Sequence, residues 1–249
     1  MNSTTPTNPT IRTKQTTTMN NYLIYAGLFS AFSLAVSAGE SGPLNDIKTA
    51  ARALAQQPNY AWVSTPRSEG SSATWRQGPL YGQTEKGGYT YFKFELGDNT
   101  IEAAIKGGKR AIKLESTWES ADDLVDDRAW IARVLKTYKP PAAEAEDLAQ
   151  ATTKPEKQAD GAVSGSLTEA KVKDFLLMGR RVDTPAKDIK GSVRFWLKGG
   201  VLIKYEFNIQ GQVTGRDGQE LEINRTTTVE INHIGSTKVP IPDAAKEKL

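Results

Sequence analysis

The sequence predicts an α+β domain, mainly antiparallel β, in which a curved sheet carries helices on its concave face. Three observations predict it. Two blocks of period-two hydrophobicity, 60–117 and 191–234, flank a block of helical period. Short glycine-containing turns separate the runs within each block. The strands of the second block reach ten residues or more, long enough to twist and curl, while only about three short helices are on hand to cover the concave side. A meander, then helices, then a second meander make one sheet with a helical layer.

Residues 1–38 read as an N-terminal extension and signal peptide. They hold no Asp or Glu and only two cations, Arg12 and Lys14, so without them the net charge falls from +3 to +1. The basic balance is therefore no argument for nucleic acid. The apolar run at 22–36 is short for a membrane span, and Val36-Ser37-Ala38 places small residues where a signal peptidase cuts, before Gly39. An uncleaved anchor is the alternative, and either Met1 or Met19 can start the chain. The expectation is an exported protein, periplasmic or extracellular, with no stable membrane insertion after cleavage and a single mature domain at 39–249. Its 38% hydrophobic and 24% charged residues suit one soluble domain. The complete lack of cysteine excludes disulfides, thiolate metal sites, a Cys nucleophile and a lipid-modified N-terminal Cys.

Leu44, Ile47, Ala51 and Leu54 recur at helical spacing ahead of Pro58, so the mature chain opens with an amphipathic helix. Five strand runs follow: 60–65, 73–84, 89–96, 100–105 and 110–117. Gly87-Gly88, Gly97-Asp98-Asn99 and Gly107-Gly108 supply the positive φ of their turns. Ser120 to Asp123 fits a capping box ahead of a stripe of Leu124, Ile131, Leu135 and Tyr138, which Pro140-Pro141 ends. The segment at 139–165, rich in Ala, Glu, Lys and Gln, reads as a linker with a short helical piece, inside a lid-and-linker region at about 119–179. A second box, Ser166 to Glu169, opens a helix with Val172, Phe175 and Leu176. Strands at 191–198, 201–213 and 220–234 complete the chain.

No motif carries catalysis. His233, the single histidine, falls by parity on the inward face near a strand end and has no nucleophile elbow or metal spacing beside it. Asp122, Asp123, Asp126 and Asp127 suit the first turns of a helix better than a cation. Lys-Gly-Gly at 86–88, 106–108 and 198–200 joins strands and leads into no helix, so it makes no phosphate cradle. Asn224-Arg225-Thr226 fits a glycosylation sequon but sits within a strand. Of the five tryptophans, Trp62, Trp75, Trp118, Trp130 and Trp196, most are assigned to the core. Trp196 has the parity opposite to Phe195. No catalytic residue, metal ligand or cofactor is assigned, and no enzyme is expected.

The order of signal peptide, helix, antiparallel strands, lid helices and further strands resembles the LolA-like superfamily of periplasmic lipoprotein carriers and LppX- and LprG-type lipid-binding proteins. The resemblance is carried by 204–213, KYEFNIQGQV, by 225–235, RTTTVEINHIG, and by Val239-Pro-Ile-Pro242, which look like the final hairpin and tail of that superfamily. It covers most of 41–249. The departures are the missing lipobox Cys, which excludes a lipid-anchored form, and the length of 139–165. The resemblance implies an unclosed half-barrel whose apolar concave face shelters acyl chains, with Arg225 as the candidate for the carriers' Arg near the cavity mouth.

Strand parity by itself puts Phe92, Phe94 and Ile105 on one face and Ile203, Tyr205 and Phe207 on the same face of the second block. With Trp130, Phe175 and Arg225 these are the candidate groove residues. The bland alternative is that they fill one core. The expected function is a non-enzymatic extracytoplasmic binder or carrier for a lipid or a lipoprotein acyl chain, with an amphiphilic lipid or acylated protein as partner. The alternative is an envelope interaction or scaffold protein that uses the same fold with a filled core.

Overall fold

The computed structural model describes residues 42–69, 78–96, 99–178, 185–214 and 218–249. The expected signal peptide, Trp75 and residues 97–98 and 215–217 lie outside them.

One antiparallel sheet of eleven strands organises the domain in the order β6-β5-β4-β3-β2-β1-β11-β10-β9-β8-β7. The first meander is β1 (Asn59–Glu69), β2 (Leu80–Glu85), β3 (Tyr89–Leu96), β4 (Asn99–Lys106), β5 (Lys109–Leu114) and β6 (Thr117–Ser120). The second comprises β7 (Thr152–Lys157), β8 (Val163–Leu167), β9 (Ala186–Lys198), β10 (Val201–Thr214) and β11 (Glu220–Asn232). The meanders join where β1 pairs with β11, Trp62 opposite Ile231 and Thr65 opposite Thr228. The sheet does not close on itself, for β6 and β7 end it. The α+β class and the unclosed curved sheet expected from the sequence are what the structure has.

The first four helices lie on one face. Helix α1 (Pro43–Ala55) starts with proline in its first turn and buries Ile47, Ala51 and Leu54 of the predicted stripe together with Ala50, while Leu44 is half-buried. Two short 3-10 turns precede α2 (Ala129–Thr137), and Ser120 makes no side-chain cap, so the first expected capping box does not form. Helix α3 (Pro141–Gln150) and strands β7 and β8 occupy the segment expected to be a linker. Ala142, Ala145, Leu148 and Ala149 of α3 are buried, and α3 packs on α1. Small side chains on both helices let them approach closely, which an Ala-rich composition alone does not distinguish from a linker. Pro155 is tolerated because β7 is an edge strand with a bulge between Thr153 and Glu156. Helix α4 (Glu169–Leu176) is capped by Thr168, whose side chain accepts from Lys171 N, so the cap lies two residues beyond the expected Ser166.

Glycines set how closely helix and sheet meet. A Cβ at Gly191 would lie 2.4 Å from Val172, and one at Gly211 2.6 Å from Leu176, so α4 rests directly on the strand backbone.

The main core lies between sheet and helices, from Trp62, Phe92 and Ile112 at one side to Val193, Phe195 and Ile209 at the other. A second, smaller cluster lies on the opposite face. There the C-terminal segment, ending in helix α5 (Asp243–Lys246), lays Val239, Ile241, Ala245 and Leu249 over Tyr91, Ala104, Ala111 and Trp118. Thr237 N donates to Asn59 Oδ1 at 2.9 Å, and Lys109 Nζ donates to the Leu249 carbonyl at 3.1 Å, pinning the segment at both ends. The parity that turns Tyr91 away from the main core is correct, yet the ring is buried because the tail covers it.

Candidate ligand groove on the inner face

Register sets the inner face row by row. On β11 it carries Leu221, Ile223, Arg225, Thr227, Val229 and Ile231, opposite Val213, Gly211, Ile209, Phe207 and Tyr205 of β10. Phe207 stacks on Phe175 of α4 with centroids 4.7 Å apart, and Tyr205 lies 6.4 Å from Phe195. Across the sheet Phe92 stacks on Tyr138 at 4.6 Å and meets Trp62 at 6.0 Å. Such pairs add about 0.5–1.5 kcal/mol each beyond the area they bury.

Burial is uneven along this face. Around Tyr60, Trp62, Val229 and Tyr205 the packing is closed. Toward the opposite end of the sheet Leu80, Phe94, Leu114, Ile189, Leu221 and Ile223 pack on the core but are only half-buried. The apolar surface therefore extends beyond the part that is sealed.

A polar group interrupts it. Glu144, carried inward by α3, accepts a hydrogen bond from Tyr205 Oη at 2.6 Å. Burial pushes the Glu144 carboxyl up, against the Tyr205 hydrogen bond and the charges of Lys171 and Arg225, which pull it down. Burial also lowers the Arg225 guanidinium, with the Glu144 charge opposing it. Arg225 Nε and Tyr138 Oη are both buried with no hydrogen-bond partner. Burial pushes the Tyr138 and Tyr205 hydroxyls well up. Glu144 and Arg225 keep part of their surface accessible although desolvation dominates their ionisation.

The structure brings most of the expected residues together. Phe92, Ile105, Phe175, Tyr205 and Phe207 are buried in the main core, Phe94 packs half-buried at its edge, and Arg225 sits in the inner row of β11. Ile203 does not join them. It is the extra residue of a bulge between Leu202 and Lys204, so Leu202 takes the inward position and is fully buried while Ile203 is half-buried. A bulge flips parity on one side of itself, and alternation in the sequence continues through it unmarked. Trp130 is half-buried on α2, whose Ile131, Ala132 and Leu135 are the residues that pack on the core. His233 is exposed just after β11, with φ +49°, and not inward as parity implied. Tyr138 packs on the core as its place on the expected stripe implies, whereas Glu144 escapes the sequence because 139–165 reads as a linker. Pro141 in the first helical turn with Ala142, Ala145 and Ala149 at helical spacing was the signal for α3.

The outer face is different in kind. A shallow polar trough of about 530 Å³ is lined there by side chains including Lys154, Glu156, Ser192, Arg194 and Glu206. Beside it Trp196 lies between Arg194 and Lys204, 5.0 and 4.9 Å from its ring, and donates from Nε1 to Asp160, as its parity opposite Phe195 foretold. Among the described residues no cluster of three or more His, Asp or Glu is placed to hold a metal, and no helix is long and apolar enough to cross a membrane.

No family model matches the chain, and no curated protein matches it. Solved structures do. The chain is similar to the lipoprotein LppX from Mycobacterium tuberculosis, at 12% identity and a TM-score of 0.46 over 79% of this chain and 97% of that one. It is similar to LprF from Mycobacterium bovis, at 12% identity and a TM-score of 0.44 over 82% and 99% of the two chains. A LolA superfamily protein from Nitrosomonas europaea follows at 10% identity and a TM-score of 0.30, covering 79% and 94%.

Proposed function

We propose that the protein is an exported, non-enzymatic binder or carrier of an amphiphile, a lipid or the acyl portion of a lipoprotein, held on the inner face and released without covalent chemistry. The observation that carries this reading is the unequal burial of one continuous apolar face. Trp62, Val229 and Tyr205 seal one end, while Phe94, Leu221 and Ile223 keep apolar surface at the other. A soluble domain gains by covering such surface, and an acyl chain covers it without needing hydrogen bonds. Phe92, Ile105, Phe175, Tyr205 and Phe207 are the walls in this reading, with Phe94 at the open end.

The second reading is an envelope interaction or scaffold protein with a filled core. It is favoured by the closed burial of Phe92, Tyr205 and Phe207, at 2%, 0% and 4% exposure. Native mass spectrometry of residues 39–249, purified from an extracytoplasmic fraction without detergent, separates the two. A reproducible adduct of lipid mass is expected. A bare protein mass, unchanged after incubation with a total envelope lipid extract, would sink the carrier reading in favour of the scaffold.

A further inference from the structure

The inner face holds one feature that an acyl chain does not explain. Arg225 stands in a β11 row otherwise made of Leu221, Ile223, Thr227, Val229 and Ile231, with Ile209 opposite it on β10 and Ser68 opposite it on β1. Its Nε is buried and unpartnered, and among the described residues Arg225 donates no side-chain hydrogen bond and forms no ion pair within 4.0 Å. The nearby carboxylate does not pair with it, for Glu144 accepts from Tyr205 and lies beyond 4.0 Å of the guanidinium nitrogens. Lys171, whose charge also reaches Glu144, pairs with Asp147 at 3.2 Å. A second unpartnered donor, Tyr138 Oη, lies close enough to Glu144 to feel its charge. A guanidinium held largely out of water with its Nε unpartnered is costly, and an apolar side chain would fit the row better.

We infer that the amphiphile bound on the inner face carries an anionic head group, a carboxylate or a phosphate, and that Arg225 holds it. This rests on the carrier reading. The planar guanidinium suits a two-oxygen acceptor, and Arg225 lies between the sealed end of the face, at Val229 and Ile231, and the half-buried end, at Leu221 and Ile223. A head group at Arg225 lets its chain run along the apolar row in either direction. Glu144 does not block the anion. Its carboxyl is already pushed up by burial, and a second negative charge beside it favours its protonated form, which donates a hydrogen bond instead of repelling.

The test is displacement of the neutral probe Nile red from residues 39–249 by laurate and by methyl laurate, in the wild type and in Arg225→Met. Hydrogen bonds to a charged group make laurate bind the wild type about tenfold to a hundredfold tighter than its ester. In Arg225→Met that preference disappears while the ester binds as before. The substitution continues an apolar row, and an unchanged far-UV spectrum and melting temperature confirm folding. Equal affinity for acid and ester in the wild type overturns the head-group assignment and leaves the groove standing, as does a preference that survives in Arg225→Met. Failure of both ligands to displace Nile red sinks the carrier reading, and this inference with it. Acetate serves as a free carboxylate. If acetate alone, at millimolar concentration, raises the melting temperature of the wild type as much as laurate does, the site is one for small anions and the lipid assignment is overturned.

Discussion

Replacing Gly82 by alanine isolates the aromatic floor at the sealed end of the inner face. Gly82 lies on β2 between Trp62 of β1 and Phe92 of β3 in register. The Trp62 indole lies flat over it. A Cβ at Gly82 would sit 2.0 Å from Cζ2 and 2.2 Å from Cε2 of that ring, where carbon atoms prefer about 3.5–4.0 Å. The indole must shift by roughly 1.5 Å to reach ordinary contact. The shift breaks the bond that Trp62 Nε1 donates to Thr84 Oγ1 at 3.3 Å and disturbs the ring contacts with Phe92 and Tyr138 at 6.0 and 6.2 Å. Misfit in a packed core costs about 1–3 kcal/mol, the lost hydrogen bond about 1 kcal/mol and the ring contacts about 0.5–1.5 kcal/mol. Gly82→Ala therefore destabilises the domain by about 3–5 kcal/mol. Urea unfolding followed by tryptophan fluorescence and far-UV circular dichroism measures it. Gly78→Ala is the control, because its Cβ would meet nothing nearer than Glu95 at 3.8 Å. If Gly82→Ala unfolds within about 1 kcal/mol of the wild type, the indole does not lie over Gly82 and the account of the sealed end is refuted.

Removing residues 239–249 uncovers Tyr91 and Trp118; the domain loses about 2–4 kcal/mol, and a red shift in Trp118 emission, read against Trp118→Phe, reports it. No shift would mean that the tail does not cover this face. Burial alone would raise Glu102, but hydrogen bonds from Lys113, at 2.8 Å, and from Tyr91 outweigh it and hold the carboxyl below its usual value. A depressed carboxylate stabilises the fold above its unfolded-state pKa and loses that contribution as pH falls through the folded value. Glu102→Gln is accordingly less stable than the wild type at pH 7 by about 1 kcal/mol, and the two converge in acid denaturation series below about pH 3. Glu144 has the opposite sign. Its carboxyl is raised by burial, so its charging costs stability as pH rises through the folded value. Glu144→Gln should gain on the wild type between pH 4 and pH 7, and a constant difference across that range would contradict the buried carboxyl.

Local pattern decided a great deal here. Helix α1 follows from Leu44, Ile47, Ala51 and Leu54, and β3 runs over the predicted 89–96, because period and turn residues are properties of neighbours in sequence. The facing of Phe92, Phe207 and Phe195 against Trp196 followed from parity alone. Tertiary structure decided the rest. Whether Ala142, Ala145 and Ala149 form a linker or a packed helix depends on α1 lying against them. Ile203 loses the inward position to Leu202 through a bulge set by pairing with β9. The β1–β11 pairing, which unites the two meanders into one sheet, joins residues at opposite ends of the chain. Arg225 could be placed on the inner face from sequence, but its unpartnered Nε and the charge of Glu144 beside it could not. Alternation fixes which way a side chain points, whereas what it meets there is set by elements distant in the chain.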